Sequence, residues 1–305
     1  MSRILISGLV NIETTVKVRR FPIEYYPIDY PFFGVDSGAS GVAYNIAVGA
    51  AALGDEVRLT SLTGKDFQAE YVRNQLAGHG ISPEQVLPLL QKTPCSVVLY
   101  DDTGRRQIYC DLKDIQQASY PFDDQLLEDV DIVAACNISF NRPLLARAKA
   151  AGKIVATDVH VLSDLRDEYN RDFLEAADIL FLSDEGTGEN YRSFIRELAQ
   201  TYSPSVIVMG RGSKGAAITF GGDILEVPTA KVGSIVNTVG AGDALFTGFI
   251  HYYAKGLEPV EALIRAELFA SAKIAVSGGA KGFVSEDEIE RLYALHADTI
   301  KTQIR

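Results

Sequence analysis

Asn237-Thr238-Val239-Gly240-Ala241-Gly242-Asp243-Ala244-Leu245-Phe246-Thr247-Gly248 sets a run of small residues directly ahead of an amphipathic helical pattern that continues to Tyr253. A glycine-rich turn entering a helix exposes unpaired N–H groups at the positive end of the helix dipole. Such an end is an anion site. Asp243 falls in the first helical turn, where the same dipole favours a carboxylate. Two readings stand side by side. In the plain one, Asp243 caps a helix and the glycines make a tight turn. In the other, the N–H groups of Gly240, Ala241 and Gly242 cradle a transferring phosphoryl group and Asp243 takes the proton from the attacking hydroxyl. Phosphoryl transfer asks for those two parts together with Mg2+. Gly240 and Gly242 also begin a dinucleotide fingerprint, but Leu245 stands where the third glycine belongs, and the stretch lies late in the chain. No GxxxxGKS or GxxxxGKT occurs, which excludes a P-loop.

A second small-residue stretch, Ser40-Gly41-Val42-Ala43-Tyr44-Asn45-Ile46-Ala47, leads another helix that Gly54 stops. Asn45, one turn in, either points its carboxamide at ligand hydroxyls or belongs to a close helix–strand contact. Around these stretches, strand and helix patterns alternate. Strands are predicted at Ile4–Ser7, Val57–Leu62, Asp131–Cys136, Ile154–Thr157, Asp178–Leu182 and Ser205–Met209, with helices near Phe67–Leu76, Arg142–Ala151, Asp172–Ala176 and Tyr191–Thr201. This alternation predicts the α/β class, a mostly parallel sheet sandwiched by helices. One domain over 1–305 is expected.

The segment from Thr14 to Ser37 breaks the pattern. It carries Pro22, Pro27 and Pro31 and the rings of Phe21, Tyr25, Tyr26, Tyr30, Phe32 and Phe33, while Val16 and Val18 alternate with Lys17 and Arg19 as in an edge strand. Ser96–Tyr100 and Gln107–Cys110 flank Asp102-Thr103-Gly104, a hairpin signal. Residues of about 14–38 and 95–112 thus suffice for a small second sheet, a β-lid. The rings either pack on the main domain, form the lid's own mini-core, close over a ligand, or meet a second copy in a homodimer through the lid.

With 305 residues, 47% of them hydrophobic, the chain can bury a large core, and bulk disorder is excluded. No apolar stretch reaches the roughly 18–20 residues of a membrane span. The start MSRILISG lacks the apolar region of a signal peptide. Cys95, Cys110 and Cys136 are an odd number without a CxxC, so a zinc site or disulfide framework is not expected and the cytoplasm is the default location. A net charge of −11 demotes nucleic acid as a partner, though not anion capture by backbone N–H groups. Neither nucleic acid nor membrane is expected as a partner.

At this point the residues carry a resemblance. Asn237-Thr238-x-Gly240-Ala241-Gly242-Asp243 resembles the C-terminal signature of the ribokinase-like (PfkB-type) carbohydrate kinase family. Ser40 to Asn45 resembles its N-terminal G-G-x-x-x-N signature, with Ser40 in place of the first glycine. Gly8-Leu9-Val10-Asn11-Ile12-Glu13 is similar to its first strand-end motif, where an Asp usually binds substrate hydroxyls. Gly64 and Asp66 fit its G-x-D turn, and Gly210-Arg211-Gly212-Ser213-Lys214-Gly215 resembles its nucleotide loop, with Gly210 in the Thr place. The resemblance spans nearly the whole chain.

It implies an ATP- and Mg2+-dependent phosphotransferase that moves the γ-phosphate to a hydroxyl of a small sugar. Asp243 would be the general base, and Gly240, Ala241 and Gly242 the anion hole. Asn11, Glu13, Gly41 and Asn45 would hold the substrate, and Gly212, Ser213 and Gly215 the nucleotide. A nucleoside kinase is the alternative within the family; a sugar- or nucleotide-binding regulator without catalysis is the alternative outside it. Three departures stand out. Glu13 is one methylene longer than the usual Asp. Ser183-Asp184-Glu185-Gly186 lacks the Asn and final Glu of the family's magnesium-organising N-x-x-E element, so Asp184 and Glu185 either act on the metal through water or are simple helix-start acids. A monovalent cation beside the anion hole stays open, because Asn237 replaces the acidic variant there. Asp158 either faces the substrate or caps a turn, and His160 beside it is read as structural.

Overall fold

The alternation Ile4-Leu5-Ile6 decides how the layers lie. All three are fully buried, Ile4 and Ile6 in one apolar cluster and Leu5 in another. A strand buried on both faces belongs in the middle of a parallel sheet covered by helices. The computed structural model describes residues 2–305 except 231, 237 and 277; Asn237, part of the glycine-rich motif, lies outside the described residues.

In chain order the elements begin with β1 (Arg3–Ser7), β2 (Asn11–Lys17), β3 (Val35–Ser40), α1 (Val42–Ala52), β4 (Glu56–Leu62), α2 (Phe67–Gly78) and β5 (Val86–Leu87). They continue with β6 (Cys95–Tyr100), β7 (Arg106–Asp111), β8 (Ile132–Ala135), α3 (Arg142–Ala150), β9 (Ile154–Val161), α4 (Arg171–Ala176), β10 (Ile179–Ser183) and α5 (Tyr191–Tyr202). The last are β11 (Val206–Gly210), β12 (Ala216–Phe220), β13 (Asp223–Val227), α6 (Ala241–Ala254), α7 (Pro259–Lys273) and α8 (Glu286–Lys301). Nine strands form the main sheet in the order β13-β12-β11-β10-β9-β8-β1-β4-β5. Pairing is parallel from β5 through to β11 and antiparallel at β12 and β13. Helices α1, α6, α7 and α8 cover one face and α3, α4 and α5 the other.

The predicted strands and helices are all present to within a few residues. The β12–β13 hairpin, turning at Gly221-Gly222, and helices α7 and α8 were not anticipated. The hairpin lies past Met209, where the parallel pattern stops, and its short strands carry little periodicity.

The second sheet has four strands in the order β3-β2-β6-β7. Here the expectation of an edge strand at Val16 is corrected: β2 lies inside, antiparallel to β3 and parallel to β6. The edges are β3 and β7. The aromatic segment between β2 and β3 is irregular, and most of its rings are exposed; Phe21 is half-buried beneath Arg105 and Tyr26 lies under Arg19. Tyr25 is 88% and Phe32 85% exposed, and Phe33 is wholly so. Tyr30 and Phe32 stack on each other at 6.2 Å between centroids.

Two glycines bring α1, α6 and α7 together. A Cβ on Gly49 would stand 3.1 Å from the Thr247 methyl, and one on Gly248 only 2.9 Å from the Ala266 Cα. Under α6, Phe249 is fully buried with its ring against Phe181 at 5.3 Å. Truncating Phe249 to Ala leaves a cavity that this close packing cannot fill. The expected loss of stability is about 3–5 kcal/mol, read by urea denaturation.

Candidate active site

The carboxyl ends of parallel strands are where α/β proteins gather their ligands. Here the starts of α1 and α6 and the end of α7 meet at that edge. Helix α6 begins after Gly240, which is left-handed at φ 77°, and no side chain caps it. The Ala241 N–H donates to the Thr238 carbonyl at 3.2 Å, and the turn then opens into the helix. Gly240 and Gly242 differ in kind. A Cβ on Gly240 would come within 2.5 Å of the Gly279 carbonyl oxygen, whereas one on Gly242 would meet nothing within 4 Å. Gly240 is required by the backbone; Gly242 keeps open the space at the helix start.

Asp243, half-buried, accepts a hydrogen bond from the Asn45 carboxamide at 2.6 Å. Asn45 sits on the first turn of α1, whose start needs Gly41: its φ is 105°, and a Cβ there would strike the Leu9 carbonyl at 2.5 Å. Burial pushes the Asp243 carboxyl up; Asn45 and the charges of His160 and Lys273 pull it back. Glu13 on β2 is also pushed up, first by burial and then by the facing Asp243, while a hydrogen bond with Ser40 lowers it. Glu13 is therefore not a solvated surface acid; it shares the space of Asp243. Asn11 is placed differently. It is buried, and its amide donates to Ser96 of β6 at 3.1 Å, at the root of the second sheet.

Asp158 and His160 close the other side. His160 adopts φ 59° and pairs with Asp158, Nδ1 to carboxylate, at 3.5 Å. The Asp158 charge raises the imidazole to about 9. Burial works against ionising Asp158, but His160 outweighs it and holds the carboxyl low. Both groups act electrostatically on Asp243, so His160, read from sequence as structural, is one of the charges that bear on that carboxylate.

Sequence reading missed Lys273, the last residue of α7. It is fully buried, and its ammonium donates to the Val239 carbonyl and, at 2.8 Å, to that of Gly278. Burial lowers it to about 8, against the pull of Asp243 and Glu13. A lone Lys within Leu268-Phe269-Ala270-Ser271-Ala272-Lys273-Ile274-Ala275-Val276 was the available signal. The ammonium thus bridges the Val239 and Gly278 carbonyls behind the glycine turn; Asn237, on which the monovalent-ion expectation rested, lies outside the described residues.

The remaining site expectations fall on the turns after β10 and β11. Gly212 and Ser213 lie in an exposed turn after β11. Gly215 closes that turn at φ 89°, where a Cβ would clash with the Val227 carbonyl at 2.1 Å. Asp184 stands 3.8 Å from Arg211, which also pairs with Glu226 at 3.1 Å, and Glu185 is exposed. Among the described residues no cluster of His, Cys, Asp and Glu could hold a metal alone. Mg2+ in kinase sites is carried largely by phosphates and water with one or two carboxylates, a demand Asp184 and Glu185 can meet. Asp66, in the expected G-x-D turn, caps α2 by accepting from Ala69 at 3.0 Å and holds Thr93.

The profile of the family described as pfkB family carbohydrate kinase matches residues 1–286. The chain belongs to the pfkB family of carbohydrate kinases. Among curated relatives of this kinase, a deoxyribokinase of Salmonella typhi is 24% identical over 96% of this chain and 99% of its own. A nucleoside kinase of Methanocaldococcus jannaschii is 23% identical over 85% of each chain. The structure of Arabidopsis thaliana ribokinase complexed with ribose and ATP superposes with a TM-score of 0.80 at 20% identity, covering 96% of this chain and 99% of that one, a likeness of fold. No helix among the described residues is long and apolar enough to cross a membrane.

The contrast between the two glycines gives a test on the folded state alone. Gly240→Ala should cost about 1–3 kcal/mol through strain at a left-handed position. Gly242→Ala should stay within about 0.5 kcal/mol of the parent. Thermal unfolding of the two variants side by side measures the difference.

Proposed function

We propose that this pfkB-family kinase transfers the γ-phosphate of ATP to a hydroxyl of a small neutral sugar, with Asp243 as general base. The observation that carries the reading is the open space over Gly242 next to a carboxylate that Asn45 orients. The acceptor hydroxyl gives its proton to Asp243. The N–H groups of Gly240, Gly242 and Asp243 at the start of α6 stabilise the charge that develops on the moving phosphoryl group, and that of Ala241 joins them by leaving the Thr238 carbonyl it donates to at 3.2 Å. Asn45, Glu13, Asp158 and His160 offer hydroxyl-binding groups. Magnesium bound with the nucleotide would neutralise phosphate charge, and Asp184 and Glu185 are the carboxylates that would hold it through water. Gly212, Ser213 and Gly215 border the nucleotide. The four-stranded sheet serves as the lid, and its exposed rings mark a face for the acceptor or a second copy.

A sugar is favoured because the groups around Asp243 are polar and no ring of the 21–33 segment is buried against them. A nucleoside acceptor is the second reading, supported by the name of the M. jannaschii relative. Release of ADP from ATP, Mg2+ and a pooled panel of sugars and nucleosides decides between them, and no release from any pool removes the kinase reading. Sedimentation mass of the parent against Tyr25→Ala and Phe32→Ala tests the lid dimer.

Asp243→Asn should stay folded, bind ATP and lose about 10²–10⁴-fold in kcat. Because burial raises the Asp243 pKa and the base works deprotonated, parent kcat/KM should fall as pH drops, with its midpoint above the ordinary aspartate range. A profile flat down to the usual aspartate range, or an active Asn variant, would remove Asp243 as base.

A further inference from the structure

Lys273 is a fully buried charge. A lysine is rarely fully buried unless its ammonium is engaged. This one is engaged by peptide carbonyls rather than by a carboxylate: Val239, just ahead of the α6 start, and Gly278, in the loop after α7. The same two segments also meet where the Val236 N–H donates to the Ile274 carbonyl at 2.9 Å and where Gly240 comes up against Gly279. A Cβ on Gly240 would lie 3.2 Å from the Nζ, which places the charge directly behind the glycine turn.

A compact ammonium with three donors presents to carbonyl oxygens what a small monovalent ion presents, a single positive charge of similar reach. Hydrogen bonds to a charged donor are the strong ones, roughly twice a neutral pair. Tethered to α7, the charge cannot diffuse away. It also adds to the positive end of the α6 dipole, where the anion hole is placed.

We propose that Lys273 is a built-in cation: its ammonium clamps the Val239 and Gly278 carbonyls, fixes the anion-hole turn from behind, and leaves this kinase with no monovalent-ion requirement. The proposal rests on the assignment of the Gly240–Asp243 turn as the anion hole. Lys273 is a positioning residue, since it acts through the turn and not on the reacting atoms. Its loss should therefore fall on kcat and leave the KM for ATP nearly unchanged.

The experiment has two arms. In crystals soaked with thallium(I), the parent should show no anomalous peak between the Val239 and Gly278 carbonyls, and Lys273→Ala should show one. In kinetics with the acceptor found in the pooled panel, the parent should turn over equally with potassium or with tetramethylammonium as the only cation. Lys273→Ala should lose about 10²-fold in kcat in tetramethylammonium, as expected for a disordered oxyanion site, and recover part of it with ammonium or methylammonium. Thallium at that position in the parent overturns the proposal. So does potassium-dependent turnover of the parent, or full turnover of Lys273→Ala without added cation. The parent arms need no variant, so they decide the matter even if Lys273→Ala does not fold by circular dichroism. Asp243→Asn with full turnover would instead overturn the site assignment, so the two failures are told apart.

Discussion

The hydrogen bond from Asn45 to Asp243 joins two helix starts 198 residues apart in sequence. Everything around it is arranged so that this short contact can form. Helices α1 and α6 must lie side by side with their first turns level, and the bare surfaces at Gly49 and Gly248 allow that closeness. Both helix starts come to the same edge of the main sheet: α1 leads from β3 of the second sheet back to β4, and α6 follows the edge strand β13. Fold and site are here one constraint: the layer that buries Phe246 and Phe249 also sets the base against its partner.

Charge is distributed around that contact in near balance. Asp243, Glu13 and Asp158 are acids; Lys273 and His160 are cations. Each is partly desolvated, and none is left alone. Bringing such groups together costs folding free energy, and it is repaid only through their mutual attraction. Clusters of perturbed acids and bases in a cleft are a mark of functional sites.

Much of this was legible in the chain. Periodicity gave the strands, and small residues ahead of apolar runs gave both helix starts, since local chemistry fixes each. Asp243 and Asn45 could be named because turn and helix lie within a few residues of them. Lys273 could not, because its meaning depends on two carbonyls supplied by segments on either side of α7. The Asp158–His160 pair was half visible: the strand end was clear, but the left-handed turn at His160 that folds the ring back was not. The rings of the 21–33 segment left four readings open, and the structure bears only on the packing ones, since most of the rings stand exposed. Apolar composition predicts burial only where a surface exists to bury against, and the thin second sheet covers Phe21 and Tyr26 in part and leaves the others exposed.

Ser40 ends the strand β3 and donates to the Asn45 carboxamide at 3.4 Å, and Glu13 lies on the neighbouring strand β2. The second sheet is thus wired to the base by one side chain. A swing of that sheet away from the helices would draw Glu13 and Ser40 off together, admit water and return Asp243 toward an ordinary aspartate. Proton affinity and closure would then rise and fall in step, so that the carboxylate would be more basic than an ordinary aspartate only while the acceptor is enclosed. Two adjacent strands, β2 and β3, would on the lid proposal couple enclosure of the site to the basicity of Asp243.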